Sequence, residues 1–295
     1  MALVATLIAD PANPSVSSDL AEGTAEALDA SGLSWLADGV ACDIALKDGT
    51  DKAAVQREIA EHIGEAPVDC VIQEAETRRR RLLIADMDST MIGQECIDEL
   101  ADEIGVKAHV AAITERAMNG EIAFEPALRE RVGLLKGLPL SVIAKVIAER
   151  ITLTPGGREL VATMKKQGAY TALVSGGFTA FTEKVADQLG FDEHRANTLI
   201  SEGGVLAGAV QEPILGKQAK LDALIALCAD RGIAHDEVMA VGDGANDLAM
   251  IERAGAGVAL HAKPAVAARA GFRIDYGDLT ALLYMQGYRR TDFVT

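Results

Sequence analysis

Apolar and polar positions along the chain fall into short blocks whose rhythm changes once, near residue 80. Before that point the pattern predicts a strand over 3–9 and a helix over 18–28, with Ser17 or Ser18 as its cap and Leu20 and Leu28 among its apolar positions. A hairpin over 34–37 and 40–46 follows, turned by Asp38-Gly39, a favoured two-residue turn. A second helix over 50–63, with Ala53, Ala54, Ile59 and Ile63 inward, and a strand over 68–72 complete the block. The order β-α-β-β-α-β is that of a small ferredoxin-like α+β domain. Nothing in it gathers into a catalytic cluster: His62 stands alone and Asp69 has no evident partner.

The polar stretch EAETRRRR, residues 74–81, reads as an exposed connector. Leu82 to Ala85 then forms an apolar run short enough for a strand buried on both faces. A helix is expected over 94–104, with Cys96, Ile97, Leu100 and Ile104 on one face. Helical periodicity continues over 110–118, 124–134 and 140–149 with no convincing strand, so this block is an insertion placed to act as a lid. Strands over 170–174 and 237–241 and the apolar run 257–260 alternate afterwards with helices over 158–167, 179–189, 218–231, 247–254, 264–270 and 278–285. Segments 196–200 and 205–210 read as a small hairpin. The whole predicts a Rossmann-like doubly wound parallel sheet with a helical cap, its site along the edge where the strands end. The expected division is 1–78 and 79–295, with the cap at about 100–155.

Charge narrows the function. Among 295 residues, 28 Lys and Arg face 44 Asp and Glu, a net charge of −16. Nucleic acid needs clustered basic side chains, and the one basic run, Arg78 to Arg81, sits at the expected domain boundary. No segment is apolar for the length of a membrane helix, and the N-terminal residues lack a positive leader. Cys42, Cys70, Cys96 and Cys228 are scattered without a C-x-x-C, which suits reduced thiols in a cytoplasmic protein.

Four polar stations follow the apolar strands. Asp86 and Asp88 end the first, and Ser175-Gly176-Gly177 ends the second, where a hydroxyl and unhindered N–H groups can hold an anion. Lys220 lies near the start of the helix leading to the third strand; taken alone it reads as a solvated helix lysine. Gly242 to Asp247 supplies Asp243, Asn246 and Asp247. Asp86, Asp243 and Asp247 are hard oxygen ligands with no His or Cys in reach by pattern, which points to Mg²⁺ rather than Zn²⁺. The absence of G-x-G-x-x-G after the first strand and of G-x-x-x-x-G-K-[ST] argues against dinucleotide and P-loop chemistry.

DMDST, SGG, Lys220 and GDGAND in this order resemble the haloacid dehalogenase superfamily of aspartyl-phosphate phosphatases. The longer strings DMDSTMIGQECIDELA, MNGEIAFEPALRERVGLLKGL, VSGGF and AVGDGANDLAM resemble its phosphoserine phosphatase family, over roughly 82–286. The resemblance implies Asp86 as nucleophile and Asp88 as the acid and base of Mg²⁺-dependent hydrolysis of O-phospho-L-serine, the last step of serine biosynthesis. It implies Asp86, the Asp88 carbonyl and Asp243 as metal ligands, with Asp247 steadying a metal-bound water. Ser175, Gly176, Lys220 and Asn246 would hold the phosphate, Glu95 the substrate ammonium, Arg131 its carboxylate, and Met118 and Phe124 would cover the site. Without the resemblance, Glu95 reads as an acid at a helix N-terminus and Arg131 as a solvated arginine. The same stations would also serve a phosphatase or phosphotransferase acting on another small phosphomonoester. Residues 1–78 resemble the ACT family of small-molecule-sensing domains in element order, which implies amino-acid sensing or homodimer formation.

Overall fold

The computed structural model describes residues 2–295. The N-terminal unit runs β1 (Leu3–Ala9), α1 (Ser18–Ala27), β2 (Gly32–Ala37), β3 (Ala41–Ala45), α2 (Lys52–Ile63) and β4 (Val68–Glu74). Its antiparallel sheet has the order β2-β3-β1-β4, the ferredoxin-like arrangement expected. Ser17 caps α1 by accepting from the Leu20 N–H at 3.1 Å. In α2 the buried residues are Val55 and Ile59; Ala53, expected inward, is exposed, lying in the first turn of a helix that begins two residues later than expected.

The larger unit begins with β5 (Leu82–Ala85), followed by the helices α3 (Cys96–Asp102), α4 (Lys107–Met118), α5 (Phe124–Leu134) and α6 (Ser141–Glu149). Ile104 lies beyond the end of α3 and is exposed, not on its buried face. Then come α7 (Gly157–Lys166), β6 (Tyr170–Phe178), α8 (Thr179–Leu189), β7 (Glu193–Asn197) and the hairpin β8 (Leu199–Glu202) with β9 (Val205–Val210). The chain ends with α9 (Lys217–Arg231), β10 (Val238–Gly242), α10 (Leu248–Arg253), β11 (Ala256–Leu260), α11 (Pro264–Ala267), β12 (Phe272–Ile274) and α12 (Ala281–Met285).

These strands form a parallel sheet of order β12-β11-β10-β5-β6-β7, with β5 inside it. Period-two alternation sends Leu82 and Ile84 to one face, against Leu224 and Leu227 of α9. Leu83 and Ala85 face the other side, in the core that holds Leu160 of α7 and Phe181 of α8. Both faces are therefore covered, as a parallel sheet requires. Residues 196 and 197, expected in the hairpin, belong to the edge strand β7 instead. Asn197 accounts for this, since its amide binds the Gly176 carbonyl at 2.8 Å and the Leu215 N–H at 2.7 Å.

Two junctions matter for the site. The cap leaves and rejoins the sheet at one place: Ile92 and Leu153 form an antiparallel bridge, flanked by Gly93 N–H to Thr152 O and Thr154 N–H to Met91 O, both 3.0 Å. The N-terminal sheet docks through Ile8 and Val71, which join the core containing Leu282 and Met285 of α12. Asp69, without a partner by sequence, accepts the backbone N–H groups of Asp275, Tyr276 and Gly277 at 2.8, 3.1 and 2.8 Å. Arg78 pairs in bidentate fashion with Asp43, whose Oδ1 also accepts the Thr6 hydroxyl.

Candidate active site

β5 ends in a backbone that continues the ladder for one more residue, the Asp86 N–H donating to Val241 O at 3.0 Å. The chain then makes a wide turn closed by the Ile92 N–H on Met87 O at 3.0 Å. Inside it Ser89 takes φ +53°, a left-handed conformation uncommon for a non-glycine residue. The Ser89 hydroxyl donates to Glu95 Oε1 at 2.7 Å, tying the turn to the N-terminus of α3. Glu95 and Asp88 thus come from one tightly bent segment.

Asp86 is 4% exposed, and Lys220, fully buried, places Nζ 2.7 Å from its Oδ1. The same ammonium lies 2.6 Å from Asp247 Oδ1. Lys220 is no solvated helix lysine. Asp243 arrives from the end of β10, and Asp86, Asp243 and Asp247 offer carboxylate oxygens within 4.8 Å of one another. Asp247 folds directly over Gly242, where a Cβ would stand 2.4 Å from its Cγ. Three buried carboxylates against one ammonium leave excess negative charge that burial makes costly. A divalent cation with hard oxygen ligands fits that donor set.

Burial dominates the electrostatics. It raises Asp243 to about 7, with Asp86 adding to the effect and Lys220 opposing it. Asp247 is pushed well up by burial and by Asp86. Asp88 rises to about 6 through burial, countered by the Cys96 thiol and reinforced by Asp86. Its Oδ1 accepts the Cys96 N–H at 2.8 Å and its Oδ2 the Ser175 hydroxyl at 3.3 Å. Burial, Asp88 and Asp243 hold Glu95 well above the ordinary carboxylate range.

Station two differs from expectation in its backbone. Ser175-Gly176-Gly177 is not the turn but part of β6, which runs on to Phe178 and shifts register against β7 there. The Ser175 hydroxyl accepts the Gly177 N–H at 2.8 Å. Gly176 lies beneath Phe124 of the cap, and a Cβ on it would sit 2.7 Å from the ring. Asp86, Asp88, Glu95, Met118, Phe124, Arg131, Gly176, Asp243 and Asn246 line one cavity, with Ser175, Lys220 and Asp247 behind them. Every candidate named from the sequence is therefore brought to one place. Among the described residues Asn246 Oδ1 is buried there without a hydrogen-bond partner, a cost that a bound hydrogen-bond donor would relieve.

The cap is down on this cavity. The Ala245 N–H donates to Met118 O at 3.0 Å, fastening the end of α4 to the loop of Asp243. The free volume of about 20 Å³ holds one or two waters, so a larger ligand needs the cap to lift. Arg131 is 2% exposed on α5, donating from Nε to Ala127 O at 3.1 Å and from Nη1 to Thr114 Oγ1 at 2.9 Å. Thr114 and Ser89 escaped the sequence reading, and Cys96 was read only as a thiol on a helix face. Ser89 lay inside the DMDST string, whereas nothing local marks Thr114.

Comparison with known proteins agrees with this geometry. A model of the haloacid dehalogenase-like hydrolase family matches residues 83–252. The phosphoserine phosphatase of Albidiferax ferrireducens is 48% identical over 208 residues, 69% of this chain and 88% of that protein. The phosphoserine phosphatase of Archaeoglobus fulgidus is 44% identical over 223 residues, 75% of this chain, and the match spans 64% of its length. The crystal structure of a haloacid dehalogenase family hydrolase from Salmonella enterica serovar Typhi superposes with a TM-score of 0.84 at 30% identity, covering 96% of this chain and 98% of that one. With its stations in order, its cap closed over them and these similarities across most of its length, the chain belongs to the haloacid dehalogenase-like hydrolases and, within them, to the phosphoserine phosphatase family.

Proposed function

We propose that the protein hydrolyses O-phospho-L-serine to L-serine and phosphate. The observation that carries this reading is the shared cavity: Glu95 and Arg131 line the same space as Asp86. A carboxylate and a guanidinium beside a nucleophile suit the ammonium and carboxylate of an amino acid. Asp86 attacks phosphorus in line, forming an aspartyl-phosphate as the P–O bond to the serine oxygen breaks. Asp88, raised to about 6 by burial, gives its proton to that oxygen. It then takes a proton from the water that attacks phosphorus and releases Asp86 and phosphate. Ser175, the Gly176 N–H, Asn246 and Lys220 hold the phosphoryl oxygens, and Met118 and Phe124 exclude bulk water. The Asp86 and Asp243 carboxylates and the Asp88 carbonyl would hold Mg²⁺, with Asp247 alongside, and the bound ion would supply positive charge to those oxygens. The buried cluster of Asp86, Asp243 and Asp247 carboxylates supports a cation there.

The test is phosphate release, with Mg²⁺ and after EDTA, from phosphoserine, phosphoethanolamine and a sugar phosphate. A kcat/KM for phosphoserine at least tenfold above the others, lost in EDTA and restored by Mg²⁺, supports the reading. Equal rates on all three would make the enzyme a phosphatase, or a phosphotransferase, of other small monoesters.

For residues 1–78, as a domain apart from 79–295, we propose a role in sensing an amino acid or pairing subunits, in a cytoplasmic enzyme whose four cysteines are free. The compact ferredoxin-like sheet, which contributes nothing to the cavity, supports it. Purely competitive inhibition by L-serine together with a monomeric mass in solution would remove both forms of this proposal.

A further inference from the structure

Thr114 and Asp98, we propose, are positioning residues that aim Arg131 at the substrate carboxylate, an inference that rests on the phosphoserine reading above. The guanidinium carries five N–H donors. One from Nε goes to Ala127 O, a carbonyl of its own helix, and one from Nη1 goes to Thr114 Oγ1 on the neighbouring α4. Two bonds from different helices fix the plane of the group. Three donors remain, and Arg131 lines the cavity.

The identity of the partners is what makes this useful. Arg131 is 2% exposed, yet among the described residues it forms no direct ion pair. A buried arginine held by a carboxylate would have to surrender that carboxylate, or share its charge, when a second one arrived. Here the contact is a neutral hydroxyl, and the carboxylate stands one bond further away. The Thr114 hydroxyl lies 2.8 Å from Asp98 Oδ1 on α3 and 3.1 Å from Val110 O. It has a single proton. Spending it on Asp98 turns the oxygen lone pairs toward Arg131 Nη1. Asp98 therefore sets the rotor of Thr114, Thr114 sets the plane of Arg131, and the positive charge stays available to the ligand. The relay also joins α3, α4 and α5, so the arginine is aimed only when these three helices are assembled.

Kinetics of wild type, T114V, T114S and D98A on phosphoserine and on phosphoethanolamine, which lacks the carboxylate, test the relay. T114V is expected to raise KM for phosphoserine roughly tenfold, the scale of one hydrogen bond to a charged group. Its kcat should stay within about twofold, and KM for phosphoethanolamine should not move. T114S should restore the wild-type KM, and D98A should shift it in the same direction by a smaller factor. A T114V enzyme that keeps the wild-type KM for phosphoserine, or loses kcat equally on both esters, overturns the inference. Failure of wild type to turn over phosphoserine would instead sink the functional reading. The relay can then be judged without turnover, from the ¹⁵N signal of Arg131 Nε: hindered rotation of the guanidinium in wild type and its release in T114V support it, and identical signals in the two proteins refute it.

Discussion

Chelating divalent metal should turn the carboxylate cluster into a pH-dependent weakness whose size follows from the structure. Asp243 is 4% exposed, and burial, with Asp86 beside it, raises its carboxyl to about 7. In the unfolded chain the same carboxyl ionises near 3.8. Between those values the folded protein holds a proton that the unfolded chain has released, so stability falls as pH rises. The contribution is complete below about pH 4 and gone by about pH 7. The interval from 3.8 to about 7, at about 1.4 kcal/mol per pH unit, amounts to about 4 kcal/mol. Asp88, raised to about 6, and Asp247, pushed well up, act with the same sign. Asp102, Glu103 and Glu237 are shifted down and act oppositely; Asp102 is exposed and screened by solvent, while Glu103 and Glu237 are half-buried and offset part of the slope. Urea unfolding followed by circular dichroism in EDTA, at intervals from pH 4.5 to 7.5, reads the slope. Mg²⁺ should restore stability increasingly toward neutral pH, because its ligands must be deprotonated. D243N, with no carboxyl to titrate there, should show a shallower slope. A chelated protein whose stability is flat or rising over this range, or a D243N slope equal to wild type, would refute the reasoning.

Three further outcomes are expected. D86N should lose turnover on every phosphomonoester while keeping the wild-type circular dichroism spectrum, because an amide cannot form the acyl phosphate; measurable phosphorylation of the substituted side chain would contradict this. K220M removes the one ammonium between Asp86 and Asp247, and breaking such a buried pair costs about 3–5 kcal/mol. A K220M melting temperature at or above wild type would show the carboxylates to be compensated otherwise. D69A strips the acceptor from three backbone N–H groups, a loss of about 2–3 kcal/mol. Hydrogen exchange should then quicken at Asp275, Tyr276 and Gly277, and unchanged exchange there would count against the clamp.

What the sequence disclosed, and what it hid, divides by distance along the chain. Asp86 was legible because an apolar run buried on both faces delivers it, and the cap helix Phe124–Leu134 was legible from its periodicity. β7, with the sequence EHRAN, carries no apolar signature, since an edge strand needs burial on fewer sides. β12 is only three residues long, too short for any alternation to show. The burial of Arg131 could not be read from neighbours such as Arg129 and Glu130, because it depends on Thr114 and on packing between helices. The clamp of Asp69 joins positions more than 200 residues apart, a relation with no local trace.

The paired strands at Ile92 and Leu153 have a consequence for how such a protein can be altered. The insertion starts and finishes at one point, so the sheet meets the same two ends whatever lies between them. The entropy of closing a loop grows only slowly with its length. A cap of another size could be spliced in at this joint with little change to the folding of Asp86, Lys220, Asp243 and Asp247 beneath it. The carboxylates and ammonium borne by the sheet are thus separable from the cap, whereas Asp88, which accepts from the Cys96 N–H beyond the joint, would have to be re-seated with any new insertion.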